Sequence, residues 1–260
     1  MLADVVDLDA HPLGDDGYRA RCRDHLQDHG ALLLRGFLRP EARRALVAEA
    51  DRCRHLAYWT EQRHNVYLDP PDPSRPDGDA RRHEVVSTKG AITTDQVPGD
   101  SGLHVLYDDE VFRSFLCAVL GEEALFPYAD PLSSINVNYY DPGQELGWHF
   151  DNSSFSVTLL VQMPESGGVF EYHDQLRNAD RNDDNEHEVA QVLAGATGRT
   201  PIELRQEAGD LALFRGRNAL HRVSPVEGDT VRILVVLAYN TEPGLSLSEN
   251  ARLTFFGRLG

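Results

Sequence analysis

Three side chains in this sequence have the types and spacing to hold a metal ion. Gly147-Trp148-His149-Phe150-Asp151-Asn152 places an imidazole and a carboxylate two residues apart, in a stretch with the texture of a β-strand. Side chains alternate faces along a strand, so His149 and Asp151 project to one side and Phe150 to the other. A second imidazole follows 70 residues after Asp151 (221 − 151), in Asn218-Ala219-Leu220-His221-Arg222-Val223-Ser224-Pro225. Two imidazoles and one carboxylate on one side of a metal leave its other positions open, the arrangement associated with oxygen chemistry at non-haem Fe(II). Zinc accepts the same donors, so a hydrolytic reading stands beside the oxidative one. With 11 histidines in the chain, chance alone can supply a His-x-Asp pair, and His149 taken singly reads as an ordinary packed residue.

Other residues change those odds. Eleven residues beyond His221 (232 − 221), Arg232 lies in the apolar run Val231-Arg232-Ile233-Leu234-Val235-Val236-Leu237-Ala238. An isolated guanidinium in such a strand is heavily penalised. It either pairs with one of the 42 acidic residues or offers two parallel donors to the carboxylate of a bound small molecule. Ser134, Asn136, Asn138 and Tyr140 alternate with Ile135, Val137 and Tyr139. That polar set shares one strand face, which lines a cavity if it points into a barrel and meets water if it points out. Arg81-Arg82-His83 is a basic cluster in an acidic protein, and reads first as a solvated charge run.

The elements that must position these groups follow from pattern. Residues 15–29 suit a helix leading into the short apolar run 31–38, a buried strand. Pro40-Glu41 opens a second helix whose apolar side carries Leu46, Val47 and Ala50. Asp69 to Asp79 holds four prolines, which forbid regular structure and make a surface loop that could serve as a lid. A further helix spans 108–120, with Phe112, Phe115 and Leu116 among its apolar residues and Gly121 as its stop. From about 132 short strands succeed one another at 133–140, 147–151, 155–163, 168–172, 201–205, 210–215 and 230–239, separated by turn residues. Many short strands with turn chemistry between them predict a barrel or double-sheet jelly roll. The charged segment 174–188 reads as a solvated insertion continuing into a short helix through Val192. Helices first and strands after make the class α+β.

Composition narrows the partners. Lys+Arg total 25 against 42 Asp+Glu, a formal net charge of −17, which opposes binding to nucleic acid or to an anionic membrane surface. No apolar run approaches the roughly 20 residues of a bilayer span, and the N-terminus lacks the basic start and apolar core of a secretory signal. Cys22, Cys53 and Cys117 are odd in number and show no CxxC spacing, as expected of reduced thiols in a cytoplasmic protein. Lys89 is the only lysine, a feature in keeping with a genome-composition bias.

Taken together, His149-x-Asp151, His221 and Arg232 resemble the Fe(II)/2-oxoglutarate-dependent oxygenase family over roughly residues 133–240. The most distinctive wording is Gly209-Asp210-Leu211-Ala212-Leu213-Phe214, then His221-Arg222-Val223-Ser224-Pro225-Val226, Gly228 and Arg232. Asp151-Asn152-Ser153, Val157-Thr158-Leu159-Leu160-Val161-Gln162 and Gly167-Gly168-Val169-Phe170-Glu171-Tyr172 look closest to the BesD-type free-amino-acid halogenases and their hydroxylase relatives. The resemblance implies a double-stranded β-helix (jelly roll, cupin-like) with N-terminal helices packed on the major sheet. It implies one domain over 1–260, with mostly helical support and lid at 1–131, a jelly-roll core at 132–240 and a C-terminal segment at 241–260.

The same resemblance implies roles for single residues. His149, Asp151 and His221 would hold Fe(II), Arg232 would pair with the far carboxylate of 2-oxoglutarate, and Asn138 and Thr158 would hydrogen-bond it. Arg82, Asn152 and Tyr140 would meet the substrate. The implied reaction is hydroxylation of an unactivated C–H bond in a small amino-acid-like substrate with O2, releasing succinate and CO2 in specialised metabolism, by a monomer or homodimer. Desaturation or ring closure are variants of that outcome. Chlorinating members of the family have a small residue where the metal carboxylate would be, so Asp151 disfavours halogenation, and Asp151→Gly is the natural way to open a halide position. Asn152 supplies no carboxylate for a distal amine, which argues against lysine as substrate. A catalytically dead jelly-roll binding protein is the remaining rival, and the intact three-residue set weighs against it.

Overall fold

Capping residues set the helices in the computed structural model, which describes residues 1–260. After the single turn α1 (Leu2–Val5), α2 (Asp16–His29) starts where the Asp15 carboxylate accepts from the Tyr18 backbone N–H, and stops at Gly30 with φ 68°. Glycine enters that left-handed geometry without steric penalty. Then come β1 (Ala31–Leu34), α3 (Pro40–Cys53), β2 (Tyr58–His64), β3 (Val85–Ile92), α4 (Gly102–Tyr107) and α5 (Glu110–Leu120). Asp109 caps α5 by accepting from Val111 and Phe112 N–H. The remaining elements are β4 (Ile135–Tyr140), β5 (Leu146–His149), β6 (Ser156–Gln162), β7 (Ser166–Gly167), β8 (Phe170–His173) and α6 (Glu186–Leu193). The chain finishes with β9 (Ile202–Leu204), β10 (Leu211–Phe214), β11 (Leu220–Val223), β12 (Val226–Glu227), β13 (Arg232–Leu237) and α7 (Glu249–Phe256).

Eleven strands form one curled sheet in the order β1-β10-β6-β13-β4-β3-β5-β11-β8-β9, with β2 added beside β3. Every pairing in it is antiparallel, and β12 pairs separately with β7. Alternation divides the work of the central strands. On the outer face Val137, Leu159, Leu213 and Val235 join Leu26, Leu46, Phe112 and Phe115 of the helices in a core cluster of 36 buried residues. Burying one such phenylalanine contributes about 1.5–3 kcal/mol, so this helix-on-sheet layer is the main source of rigidity. The opposite faces of the same strands, carrying Asn138, Tyr140, Thr158 and Arg232, turn into a cavity. The architecture is the expected α+β double-stranded β-helix, with the N-terminal helices on the major sheet.

Two expectations need refining. The segment 1–131 carries five helices, but it also adds β1, β2 and β3 to the sheet, with β3 between β4 and β5. The insertion at 174–188 is not simply solvated. Leu176 and Val189 are fully buried with Val66, Phe150 and Leu220 in a second apolar cluster behind the metal-ligand candidates. The proline-rich stretch Asp69–Asp79 is irregular as predicted. No helix is long and apolar enough to cross a membrane.

Candidate metal centre and its cavity

Register brings the two distant histidines together. β5 and β11 pair antiparallel with His149 directly opposite His221, and side chains of opposed residues stand on the same face a few ångströms apart. Their ring centroids are 4.1 Å apart. Beyond β5 the chain bends, with Phe150 N–H donating to Val66 C=O and Asp151 N–H to Gly216 C=O at 3.1 Å. This carries the Asp151 carboxylate to 3.6 Å from His149 Nε2 and 3.5 Å from His221 Nε2. The three donor atoms all lie within 4.8 Å of one another.

Both imidazoles are locked in one orientation by the same device. His149 Nδ1 donates to Gly147 C=O at 2.8 Å, and His221 Nδ1 to Ala219 C=O at 2.9 Å, each two residues back along the chain. With Nδ1–H committed to a carbonyl, the lone pair is on Nε2, facing the centre. Burial and the neighbouring His221 lower the His149 pKa, which keeps that lone pair free. For Asp151 burial pushes the pKa upward, but the two imidazoles outweigh it and hold the carboxyl well below the usual range. Donors sharing an ion at about 2.1 Å lie no more than about 4.2 Å apart, which both carboxylate–imidazole distances satisfy. Two neutral nitrogens and one anionic oxygen, with an open cavity on the far side, fit Fe(II) with positions left for a chelating ligand.

The cavity has a volume of about 300 Å³ and is walled by strands from β10 round to β9. Arg232 sits opposite Tyr140 on the neighbouring strand, with its guanidinium carbon 5.4 Å from that ring. It is 1% exposed, and its Nε and Nη1 have no hydrogen-bond partner. Desolvation lowers its pKa, with only Tyr140 opposing. Gly168 makes room for this arrangement, since a Cβ there would fall 2.9 Å from Arg232 Cδ. Asn138 Oδ1 and Gln206 Nε2, also in the wall, are likewise buried and unpartnered. Orphaned polar groups of this kind are strongly penalised unless a ligand satisfies them. A small dicarboxylate such as 2-oxoglutarate fits the need.

Among the residues singled out in sequence, Asn138, Tyr140, His149, Asp151, Thr158, His221 and Arg232 all line this cavity. Arg82 and Asn152 do not. The Arg82 guanidinium is held by its own loop, 3.0 Å from Asp77 and donating to Arg75 C=O at 2.8 Å. Asn152 is exposed, with its carbonyl accepting from Arg217 at 3.4 Å. The next residue, Ser153, lines the cavity instead. Lys89, Gln206, Phe214 and Phe255 line it as well. None of these was marked out as a site residue, and only the isolation of Lys89 in the composition was a signal.

Comparison with known proteins completes the site. The Halogenase D family model matches residues 15–252. No curated protein matches the chain. Among solved structures, an oxidoreductase of the 2OG-Fe(II) oxygenase family from Burkholderia pseudomallei is 15% identical with a TM-score of 0.53, covering 89% of this chain and 95% of its own. The non-haem alpha-ketoglutarate-dependent carbocyclase SnoK from nogalamycin biosynthesis is 11% identical with a TM-score of 0.59, covering 90% of both chains. The epimerase SnoN of the same biosynthesis, solved with Fe3+ and alpha-ketoglutarate, is 12% identical with a TM-score of 0.57, over 86% of this chain and 84% of that one. At such identities these likenesses speak for the fold. The chain belongs to the Halogenase D family and has the fold of the Fe(II)/2-oxoglutarate-dependent oxygenases.

Proposed function

We propose that this enzyme hydroxylates an unactivated C–H bond of a small amino-acid-like substrate, using Fe(II), 2-oxoglutarate and O2 and releasing succinate and CO2. The observation that carries this reading is the Asp151 carboxylate, 3.5 and 3.6 Å from the two histidine Nε2 atoms. It takes the place that a halide would need, so transfer of oxygen is favoured over transfer of chlorine despite the family's description. His149 and His221 present fixed nitrogen donors, and Asp151 supplies the anionic one. Arg232 offers its unpartnered Nε and Nη1 to the far carboxylate of 2-oxoglutarate, and Asn138 and Thr158 stand on β4 and β6, the strands on either side of its own. Tyr140 backs the guanidinium. When bound, Fe(II) with 2-oxoglutarate and O2 supplies the oxidant that takes a hydrogen atom from carbon. The protein's part is to orient the reactants and exclude water.

A zinc hydrolase on this site would leave Arg232 without a task, and a dead binding module would have no use for the two locked imidazoles. Anaerobic addition of Fe(II) and 2-oxoglutarate is expected to give the weak visible charge-transfer band of the chelate. Arg232→Ala is expected to weaken 2-oxoglutarate binding about tenfold or more, as for a lost charge-assisted pair. No band in the wild type, or an unchanged titration in Arg232→Ala, overturns the assignment. Product mass then separates the outcomes: one added oxygen for hydroxylation, two hydrogens lost for desaturation or ring closure.

A further inference from the structure

Lys89 stands in the wall of the cavity without a charged partner. It lies on β3, paired with Thr60 of β2, and the next residue, Gly90, pairs with Tyr139 of β4. The indole of Trp59 covers Gly90 so closely that a Cβ there would fall 2.9 Å from the ring. The backbone that carries Lys89 is therefore clamped from both sides. The titratable side chains that share the cavity are His64, Tyr140, His149, Asp151, His221 and Arg232. Asp151 is the one carboxylate among them, and it faces the two histidines. Desolvation pulls the Lys89 ammonium down to about 8, with no neighbouring charge contributing. Lys89 is half-buried, and although the chain has 42 acidic residues none of them pairs with its ammonium, so an anion bound in the cavity is the partner its placement suits.

Charge accounting says which ligand. Lys89 and Arg232 contribute +2 to the cavity and Asp151 contributes −1. Fe(II) and dianionic 2-oxoglutarate, the reactants of the reading on which this inference rests, cancel one another. One positive charge is left, on Lys89, because Arg232 is occupied by the cosubstrate. A substrate carboxylate cancels it and an amino acid's own α-ammonium restores it, so the cavity has no charge to spare for a second cation. We propose that Lys89 anchors the carboxylate of the substrate, and that the substrate is a small monocarboxylate whose side chain bears no positive charge. A cationic side chain would find no free carboxylate in this cavity. Lys89 thereby takes the place in recognition that the basic cluster at Arg82 does not fill.

Because Lys89 is the only lysine, protein labelled with 13C,15N-lysine gives a single side-chain signal from this ammonium. The full chain, loaded with Zn(II) as a redox-silent ion and saturated with 2-oxoglutarate, is titrated with aliphatic amino acids, their primary amides, and lysine. The acids are expected to shift the Lys89 signal and raise its titration midpoint above about 8. The amides are expected to leave it in place, and lysine to bind at least tenfold more weakly than leucine. Lys89→Met is expected to lose at least tenfold in affinity for the acids, Lys89→Arg to keep most of it, and both to melt at or above the wild-type temperature. The proposal is overturned if 2-oxoglutarate alone saturates the Lys89 response, if amides act like acids, or if no acid moves the signal. A silent Lys89 beside a normal Fe(II) chelate band defeats this inference alone. A missing band defeats the oxygenase reading whatever Lys89 does.

Discussion

Gly216 donates nothing to a ligand, yet the Asp151 carboxylate depends on its bare Cα. A Cβ at this position would fall 2.0 Å from Asp151 Oδ2 and 2.9 Å from His221 Cε1. Its backbone does not lie in the left-handed region, so alanine would be accepted by the backbone and resisted by the carboxylate first and by the His221 ring second. Gly216→Ala is therefore expected to swing Asp151 away and lower Fe(II) affinity about 10- to 100-fold, the range seen when the groups supporting a metal ligand are disturbed. Gly14→Ala, with nothing within 4 Å of the added carbon, is the matched control, and both are read by metal titration. Equal affinities would show that Asp151 does not hold the metal. Residues differ in how openly the sequence displays such roles. His149, Asp151 and His221 were legible because strand periodicity and donor chemistry converge on them. Gly216 was not, since a glycine in Arg-Gly-Arg-Asn looks like any turn. Arg82 misled because a local cluster of charge says nothing about where the side chain is tethered, and its own loop tethers it.

The elements around the centre were legible in proportion to how apolar they are. β6, β10 and β13 stand out because one face of each feeds the large core. β2 escapes notice because its sequence, Tyr-Trp-Thr-Glu-Gln-Arg-His, is polar on both faces. Thr60, Gln62 and His64 line the cavity and Glu61 and Arg63 meet solvent. The insertion between β8 and β9 is hidden the other way, its buried Leu176 and Val189 sparse among charges. Its Arg177 reaches back to the segments beside the candidate metal ligands, donating Nε to Arg217 C=O at 2.7 Å and Nη2 to Asp151 C=O at 3.3 Å. The guanidinium carbon lies 4.3 Å from the Phe150 ring centroid, over the residue between the candidate ligands His149 and Asp151. Arg177→Leu keeps most of the bulk and loses both donors. It is expected to destabilise the fold by about 1–3 kcal/mol and to weaken metal binding several-fold, measured by denaturant unfolding and metal titration on the same samples. Reduced stability with unchanged metal affinity would make the insertion a structural brace only.

At the scale of the whole molecule the site contradicts its surroundings. The chain carries a formal charge of −17, yet the cavity wall presents two cations without protein partners, Lys89 and Arg232. An anionic reactant is repelled at long range and attracted only at the end of its approach. The two fields respond differently to salt. The Debye length falls from about 30 Å at 0.01 M ionic strength to about 8 Å at 0.15 M, which removes most of the long-range repulsion. Buried charges are screened much less, so the attraction inside the cavity persists. The association rate of 2-oxoglutarate with the metal-loaded protein is therefore expected to rise several-fold across that range, while its dissociation rate changes little. Electrostatic steering by complementary charge gives the opposite slope. Stopped-flow mixing in sodium chloride, repeated in potassium nitrate to separate screening from chloride at the metal, reads the sign directly. An association rate that falls with salt in both would mean that the two cations dominate the field outside the cavity as well, and that the acidic surface plays no part in selecting what enters.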